Sequence, residues 1–319
     1  MIWIQVGILV LGFVVLMKSA QSAIKRVIRL SHYARLSEFF ISFLIIGIIS
    51  TLPELSIGIN SALLGQSSLG LGIVFGSNIA DLTLVMGIVA LFSNGIRLQR
   101  KVLNESRNVF FLLVAPLLLM VDGTLSRIDG VLLIVLFAWY VYTVYASNLH
   151  EAPANKSQAS EKPLLDLMVL VGSIILLFFS GNWISNAAES ISLTWGLPIL
   201  FIGILVALGT CLPELMVALQ AAQTGHSELG FGDIMGNVCA DSTLILGAIS
   251  IVQPIEPNVP LLAIASGGFI VLALVILLWL FYVKKELTQK EGVYLILLYL
   301  VFLLANVLVE RALVPAGAP

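Results

Sequence analysis

Ten long apolar runs, none of them alternating in polarity, constrain this chain more than any other feature. They cover residues 2–17, 37–64, 71–93, 108–121, 130–147, 164–183, 196–222, 232–252, 260–283 and 292–312. A helix crosses the hydrocarbon of a bilayer with about 20 mostly apolar residues, fewer where flanking side chains snorkel. Barrel strands would alternate over roughly ten residues, so these runs predict an all-α membrane protein with ten transmembrane helices. Soluble domains carry about 25% charged residues, whereas this chain has 11% and is 59% hydrophobic. The first run has no basic residue before it and Lys18 after it. A secretory signal places its positive charge first, so the run reads as a retained first helix. Cys211 and Cys239 lie inside apolar segments, which does not suit an oxidised framework.

Lysine and arginine set the predicted orientation. Lys18, Lys25, Arg26, Arg29 and Arg35 follow span 1, and Arg97, Arg100, Lys101 and Arg107 follow span 3. Lys156 and Lys162 follow span 5, and Lys284, Lys285 and Lys290 follow span 9. The other side has only Arg127 and Arg311, a split of about 14 to 2. Both termini are therefore expected outside the cytoplasm of a multi-pass inner or plasma membrane protein. Residues 148–163, rich in Ala, Ser, Pro and charge, read as a cytoplasmic linker between residues 1–147 and 164–319.

Those two parts are related. A shift of about 160 residues lays Ser50-Thr51-Leu52-Pro53-Glu54-Leu55 on Thr210-Cys211-Leu212-Pro213-Glu214-Leu215 without a gap. Downstream, Gly65, Gly70, Gly72, Gly76, Asp81, Thr83 and Gly87 meet Gly225, Gly230, Gly232, Gly236, Asp241, Thr243 and Gly247. Roughly 16 of 41 aligned positions are identical. Five spans separate equivalent points, an odd number, so the two five-helix repeats cross the membrane in opposite senses. Inverted repeats with a site near the midplane are a transporter architecture.

The matched positions include four carboxylates, Glu54, Asp81, Glu214 and Asp241. Each costs about 2.5–3.5 kcal/mol inside a membrane helix, which visiting cations or protons would offset. Helical spacing puts Ser50 and Thr51 on the face of Glu54, and Thr210 and Cys211 on that of Glu214. Ser77 and Asn237 stand four residues before Asp81 and Asp241. Pro53 and Pro213 lack the amide hydrogen that would engage the carbonyls of Ile49 and Gly209. Carboxylates, hydroxyls and free carbonyls are hard oxygen ligands, suited to Ca2+ or Na+ rather than to zinc or copper. Gly58, Gly72, Gly76 and Gly87 would let helices approach closely.

At these motifs the chain resembles the calcium/cation antiporter superfamily, whose best-known members are the sodium/calcium exchangers. The paired Leu-Pro-Glu motifs and the runs Gly76-Ser77-Asn78-Ile79-Ala80-Asp81 and Gly236-Asn237-Val238-Cys239-Ala240-Asp241 carry the resemblance. It implies that spans 2, 3, 7 and 8 form a central diamond, across which spans 1 and 6 slide. It implies Ca2+ on Glu54 and Glu214, with Ser50, Thr51, Thr210, Ser77, Asp81 and Asp241 completing the sites and the carbonyls of Gly47 and Ala207 adding oxygens. Ca2+ and Na+, or H+, would be transported rather than held as cofactors. The lipid bilayer is the expected surrounding partner, with no nucleic acid and no obligate protein partner implied. The chain departs from the family pattern at Ile49 (usually Gly), at Cys211 and Asn237 (usually hydroxyls) and at Asp81 (often Asn). A thiol is a poor ligand for Na+, so protons or potassium stay open as coupling ions, and Mg2+ or Mn2+ as cargo.

Two other readings compete. Gly230-Phe231-Gly232-Asp233 matches the Gly-x-Gly-Asp motif of intramembrane aspartyl proteases, but the chain contains no Tyr-Asp pair to supply the second aspartate. Asp233 therefore reads as a helix-end or vestibule residue. A passive channel usually takes its symmetry from several subunits, whereas this repeat is antiparallel within one chain.

Overall fold

The computed structural model describes residues 2–33, 51–93, 95–98, 100–147, 162–223, 227–257, 260–284 and 286–313. Helix dominates throughout. The first repeat contains α1 (Ile2–Tyr33), α2 (Leu52–Leu63), α3 (Ser67–Ile79), a π-helical turn over Ala80–Val85, and α4 (Met86–Phe92). It continues with β1 (Ile96–Arg97), α5 (Arg100–Leu119) and α6 (Arg127–Ser147). The second contains α7 (Pro163–Trp195), α8 (Ile199–Thr210), α9 (Leu212–Gln223), α10 (Ser227–Ala240), a π-helical turn over Asp241–Ile245, and α11 (Leu246–Val252). It ends with α12 (Pro260–Lys284), β2 (Glu286–Leu287) and α13 (Gln289–Leu313). Eight helical stretches among the described residues are long and apolar enough to cross a membrane, with a shorter ninth at Asn108–Leu119. The start of span 2, including Gly47 and Ser50, lies outside the described residues.

The all-α, ten-span, two-repeat layout holds, with changed boundaries. The first helix does not end at Met17 but runs on to Tyr33. Its basic extension stays helical because Ser19, Ala20 and Ala23 bury on one face while Lys18 and Lys25 remain exposed. Span 6 likewise runs past residue 183 to Trp195, where Gly196 at φ +66° adopts the left-handed conformation that ends the helix. Span 7 is two helices broken at Cys211.

Burial separates the centre from the periphery. In their most apolar stretches, Ser67–Phe92 is 89% buried and Gly230–Val252 is 78% buried, against 17% for Arg127–Val144. Spans 3 and 8 are thus wrapped by protein, and spans such as 5 present apolar side chains outward, as lipid contact requires. The central helices meet at very short range. A Cβ on Gly72 would stand 2.0 Å from the Leu200 carbonyl oxygen, and one on Gly203 2.5 Å from that of Leu69. Gly76 faces the Cα of Ile204 in the same way, whereas Gly58 meets side chains, those of Ile249 and Ile245.

The inverted symmetry extends to the packing. Gly87 of α4 crosses Gly292 of α13, and Gly247 of α11 crosses Gly130 of α6; each crossing puts a Cβ position 2.7 Å from the opposing glycine's carbonyl oxygen. One end of the molecule is closed by the antiparallel β1–β2 ribbon, pairing Ile96 with Leu287 and Arg97 with Glu286. The other end is closed by the matching bridge between Leu125 and Ile255. Beside these closures Asp129 accepts hydrogen bonds from Ser126, and Glu291 accepts them from Thr288, so both carboxylates satisfy helix starts.

Candidate functional site

Each Leu-Pro-Glu motif begins a helix. Pro53 and Pro213 occupy the second position of α2 and α9, where a missing amide hydrogen costs nothing. The residue at each break has the same backbone: Thr51 at φ −81°, ψ 2° and Cys211 at φ −75°, ψ −3°. This sparsely populated region often holds active-site residues. Glu54 and Glu214 therefore lie in the first turn of α2 and α9, where the helix dipole favours negative charge.

The two aspartates sit at the other irregularities. Asp81 and Asp241 each stand in the first turn of a π-helical turn, with their carbonyls accepting from the amides of Met86 and Leu246 five residues on. Thr83 and Thr243 are structural here: each donates its hydroxyl to the carbonyl four residues back, Ile79 and Cys239. π turns are rare and cluster at functional sites. Their occurrence at both matched aspartates is the clearest signal that the sequence did not reveal.

These four acids converge. Glu54, Asp81, Glu214 and Asp241 are 1%, 0%, 2% and 1% exposed. Asp81 and Glu54 lie within electrostatic reach of each other and of both Glu214 and Asp241. Neutral groups from the opposite repeat stand beside them: Thr210 beside Glu54, Cys211 beside Asp81, and Ser77 beside Asp241. Both carboxylate oxygens of Glu54, Asp81 and Asp241, and one of Glu214, have no hydrogen-bond partner among the described residues. No three His, Cys, Asp or Glu side chains among the described residues gather around one metal-sized point. A divalent ion here would thus need neutral oxygens as well as carboxylates, which is the hard, flexible coordination that Ca2+ takes.

Several expected ligands have other engagements. Thr51 is buried at the break before α2. The Ala207 carbonyl accepts from both the Thr210 hydroxyl and the Cys211 amide, each at 3.0 Å, so Thr210 must turn away before that oxygen could meet an ion. Cys211 Sγ lies 3.4 Å from Ser77 Oγ, coupling spans 7 and 3 at the centre. Asn78 donates to Ser242 Oγ at 2.9 Å and ties spans 3 and 8. Sequence matching passed over Ser242 because its repeat mate is Leu82. It read Asp233 as a helix-end or vestibule residue; Asp233 stands in the middle of α10, 5% exposed, within electrostatic reach of Asp81 and Glu214. Aspartyl catalysis needs two carboxyls close enough to share a proton, and neither Asp233 oxygen has a hydrogen-bond partner among the described residues.

An inverted pair of membrane-embedded repeats, with broken helices meeting at buried acids, defines an ion-carrying secondary transporter. Comparison with known proteins specifies which kind. The profile of the sodium/calcium exchanger protein family matches residues 4–146 and 165–308, and the chain belongs to that family. It is 25% identical over 348 residues to the sodium/calcium exchanger MaX1 of Methanosarcina acetivorans, covering 95% of this chain and 98% of that one. An uncharacterized membrane protein of Methanocaldococcus jannaschii is 27% identical over 305 residues, covering 94% and 97% of the two chains. The fold is shared with solved structures of the sodium-calcium exchanger NCX_Mj; one, soaked with Na+ and Sr2+, has a TM-score of 0.67 at 22% identity and covers 94% of this chain and 98% of its own. The chain is a transporter, not an enzyme.

Proposed function

We propose that this protein is a secondary-active antiporter that exchanges Ca2+ for Na+ or another monovalent cation by alternating access. The observation that carries the reading is the group of buried carboxylates from both repeats, seven of whose eight oxygens lack a hydrogen-bond partner among the described residues, each near a side chain of the opposite repeat. Glu54 and Glu214 hold the divalent ion, with oxygens from Ser50, Thr51, Thr210, Ser77, Gly47 and Ala207 completing the ligand sets. Asp81 and Asp241 complete the sites, and one or the other sets the coupling. Relatives named as sodium/calcium exchangers support Na+ in that role. Cys211 and Asn237, where the pattern has hydroxyls, favour H+ or K+ instead.

Energetics set the demand on coupling. Moving Ca2+ against a roughly 10⁴-fold gradient and about 100 mV costs about 10 kcal/mol. Each Na+ entering down a tenfold gradient and the same voltage returns about 3.7 kcal/mol, so extrusion on sodium alone takes three ions.

The distribution of Lys and Arg supports a cytoplasmic-membrane location with both termini outside and residues 148–163 as the cytoplasmic linker between repeats. Reconstituted vesicles test the main reading. Wild-type protein should take up radioactive Ca2+ only when a trans ion is supplied, and loading with Na+, K+ or a pH gradient in turn identifies that ion. Glu54→Gln and Glu214→Gln should each reduce exchange at least about 100-fold, the scale of losing a buried charged ligand. Undiminished exchange in either variant would remove the site assignment.

A further inference from the structure

Asp233 breaks the molecular symmetry. Its repeat mate is Ile73, which is fully buried and apolar, so the carboxylate at this level has no counterpart at the matched position of the first repeat. Asp233 stands two helical turns before Asp241 in α10, about 12 Å along the axis, with Asn237 one turn on. It is 5% exposed, and neither of its oxygens has a hydrogen-bond partner among the described residues. No basic side chain is paired with it among the described ion pairs, which are Arg26 and Arg29 with Asp166, Arg97 with Glu286, and Lys284 with Glu291. A buried, unpaired carboxylate is destabilising, and packing alone gives no return, since the repeat fills the equivalent place with isoleucine.

Its position gives the cost a use. Asp233 acts electrostatically on both Asp81 and Glu214, so it borders the central acids. It lies toward the end of the molecule closed by the β1–β2 ribbon, because α10 touches β1 while α11, at the other end of the same span, leads into Ile255 of the opposite bridge. Ile73 lies toward the opposite end, where Ser67 and Ser68, at the start of α3, bond to the carbonyls of Pro254 and Glu256 beside the Leu125–Ile255 bridge.

We propose that Asp233 is a cation-holding station on the ribbon-end route alone, where an incoming divalent cation exchanges part of its water before it reaches Glu214 and Asp81. This rests on the antiport reading above and adds a sidedness that the repeat would not otherwise possess. A cation at Asp233 meets the full charge of the acids ahead, whereas one arriving from the opposite end passes an isoleucine. The two faces therefore differ in the Ca2+ concentration each needs.

The test compares right-side-out and inverted membrane vesicles carrying wild-type protein, Asp233→Asn or Asp233→Glu, with exchange measured as a function of Ca2+ on the outer surface of each. In Asp233→Asn the half-saturating Ca2+ concentration should rise about tenfold at the ribbon-end face and by less than about twofold at the other. Asp233→Glu, which keeps the charge, should retain the wild-type asymmetry. An equal shift at both faces, no shift at either, a Glu variant shifted as far as the Asn variant, or failure of the Asn variant to accumulate in the membrane would each assign Asp233 to packing and overturn the proposal. If the wild-type protein exchanges no Ca2+ in either preparation, the antiport reading itself fails and this inference falls with it; exchange by wild type with symmetric variants sinks this inference alone.

Discussion

Cys211 is the residue that most sharply distinguishes this centre from one built of oxygens. Its Sγ lies 3.4 Å from Ser77 Oγ and beside Asp81, at the break between α8 and α9. Sulfur is a soft ligand that Na+ binds poorly, while a hydroxyl at the same place would be a hard one. Cys211→Ser should therefore lower the Na+ concentration for half-maximal exchange about threefold or more, read from Na+-dependent Ca2+ flux, without loss of Ca2+ binding. An unchanged Na+ dependence would show that no Na+ binds beside residue 211. The acids on either side were legible in the sequence because a carboxylate in an apolar run is conspicuous and these four recur in register. Ser242 and Asp233 were not, because their mates are Leu82 and Ile73 and a search by symmetry discards whatever the two halves do not share.

Among the elements, the contact of α3 with α8 admits the least change. An added methyl at Gly72 would collide with backbone, the Leu200 carbonyl at 2.0 Å, which cannot swing aside as a side chain can. Gly72→Ala should destabilise the protein by about 1–3 kcal/mol or more, seen as a lower thermal midpoint in detergent. Gly172 in α7 is the control: nothing lies within 4 Å of a Cβ built there, and Gly172→Ala should be neutral or stabilise by about 0.4–1 kcal/mol. The spans themselves were readable from hydropathy, but the ends of α1 and α7 were not. Both continue beyond the apolar core as amphipathic helix, and a hydropathy window ends where charge begins even when one face stays buried. The π turns were equally hidden, since a single inserted residue leaves no compositional trace within a long, mostly apolar span.

Across the whole molecule, α1 and α7 pack along each other and are tied near one end by Arg26 and Arg29 on the buried Asp166. The Ser56 hydroxyl donates to the Leu177 carbonyl, Asn60 Nδ2 to that of Phe178 and the Ser185 hydroxyl to that of Ile57, and Gly181 sits against Ser56, so α7 also packs closely along α2. The sliding of spans 1 and 6 that the family resemblance implies would have to exchange these bonds to α2. Asp166→Ala removes the acceptor that Arg26 and Arg29 share, and Arg26→Ala removes the nearer of those two arginines. Each should cost about 1–3 kcal/mol in thermal unfolding, and Asp166→Ala should also slow exchange if the pair travels together.

The reciprocal glycine crossings have a further implication for how such a chain can be taken apart. Because Gly87 seats against Gly292 while Gly247 seats against Gly130, each half lends its final helix to the other half's interior, like two hands clasped with thumbs interlocked. Neither hand closes by itself. A molecule cut between residues 148 and 163 should assemble only when both pieces are made in the same membrane, and the uncut chain guarantees that each left hand meets one right.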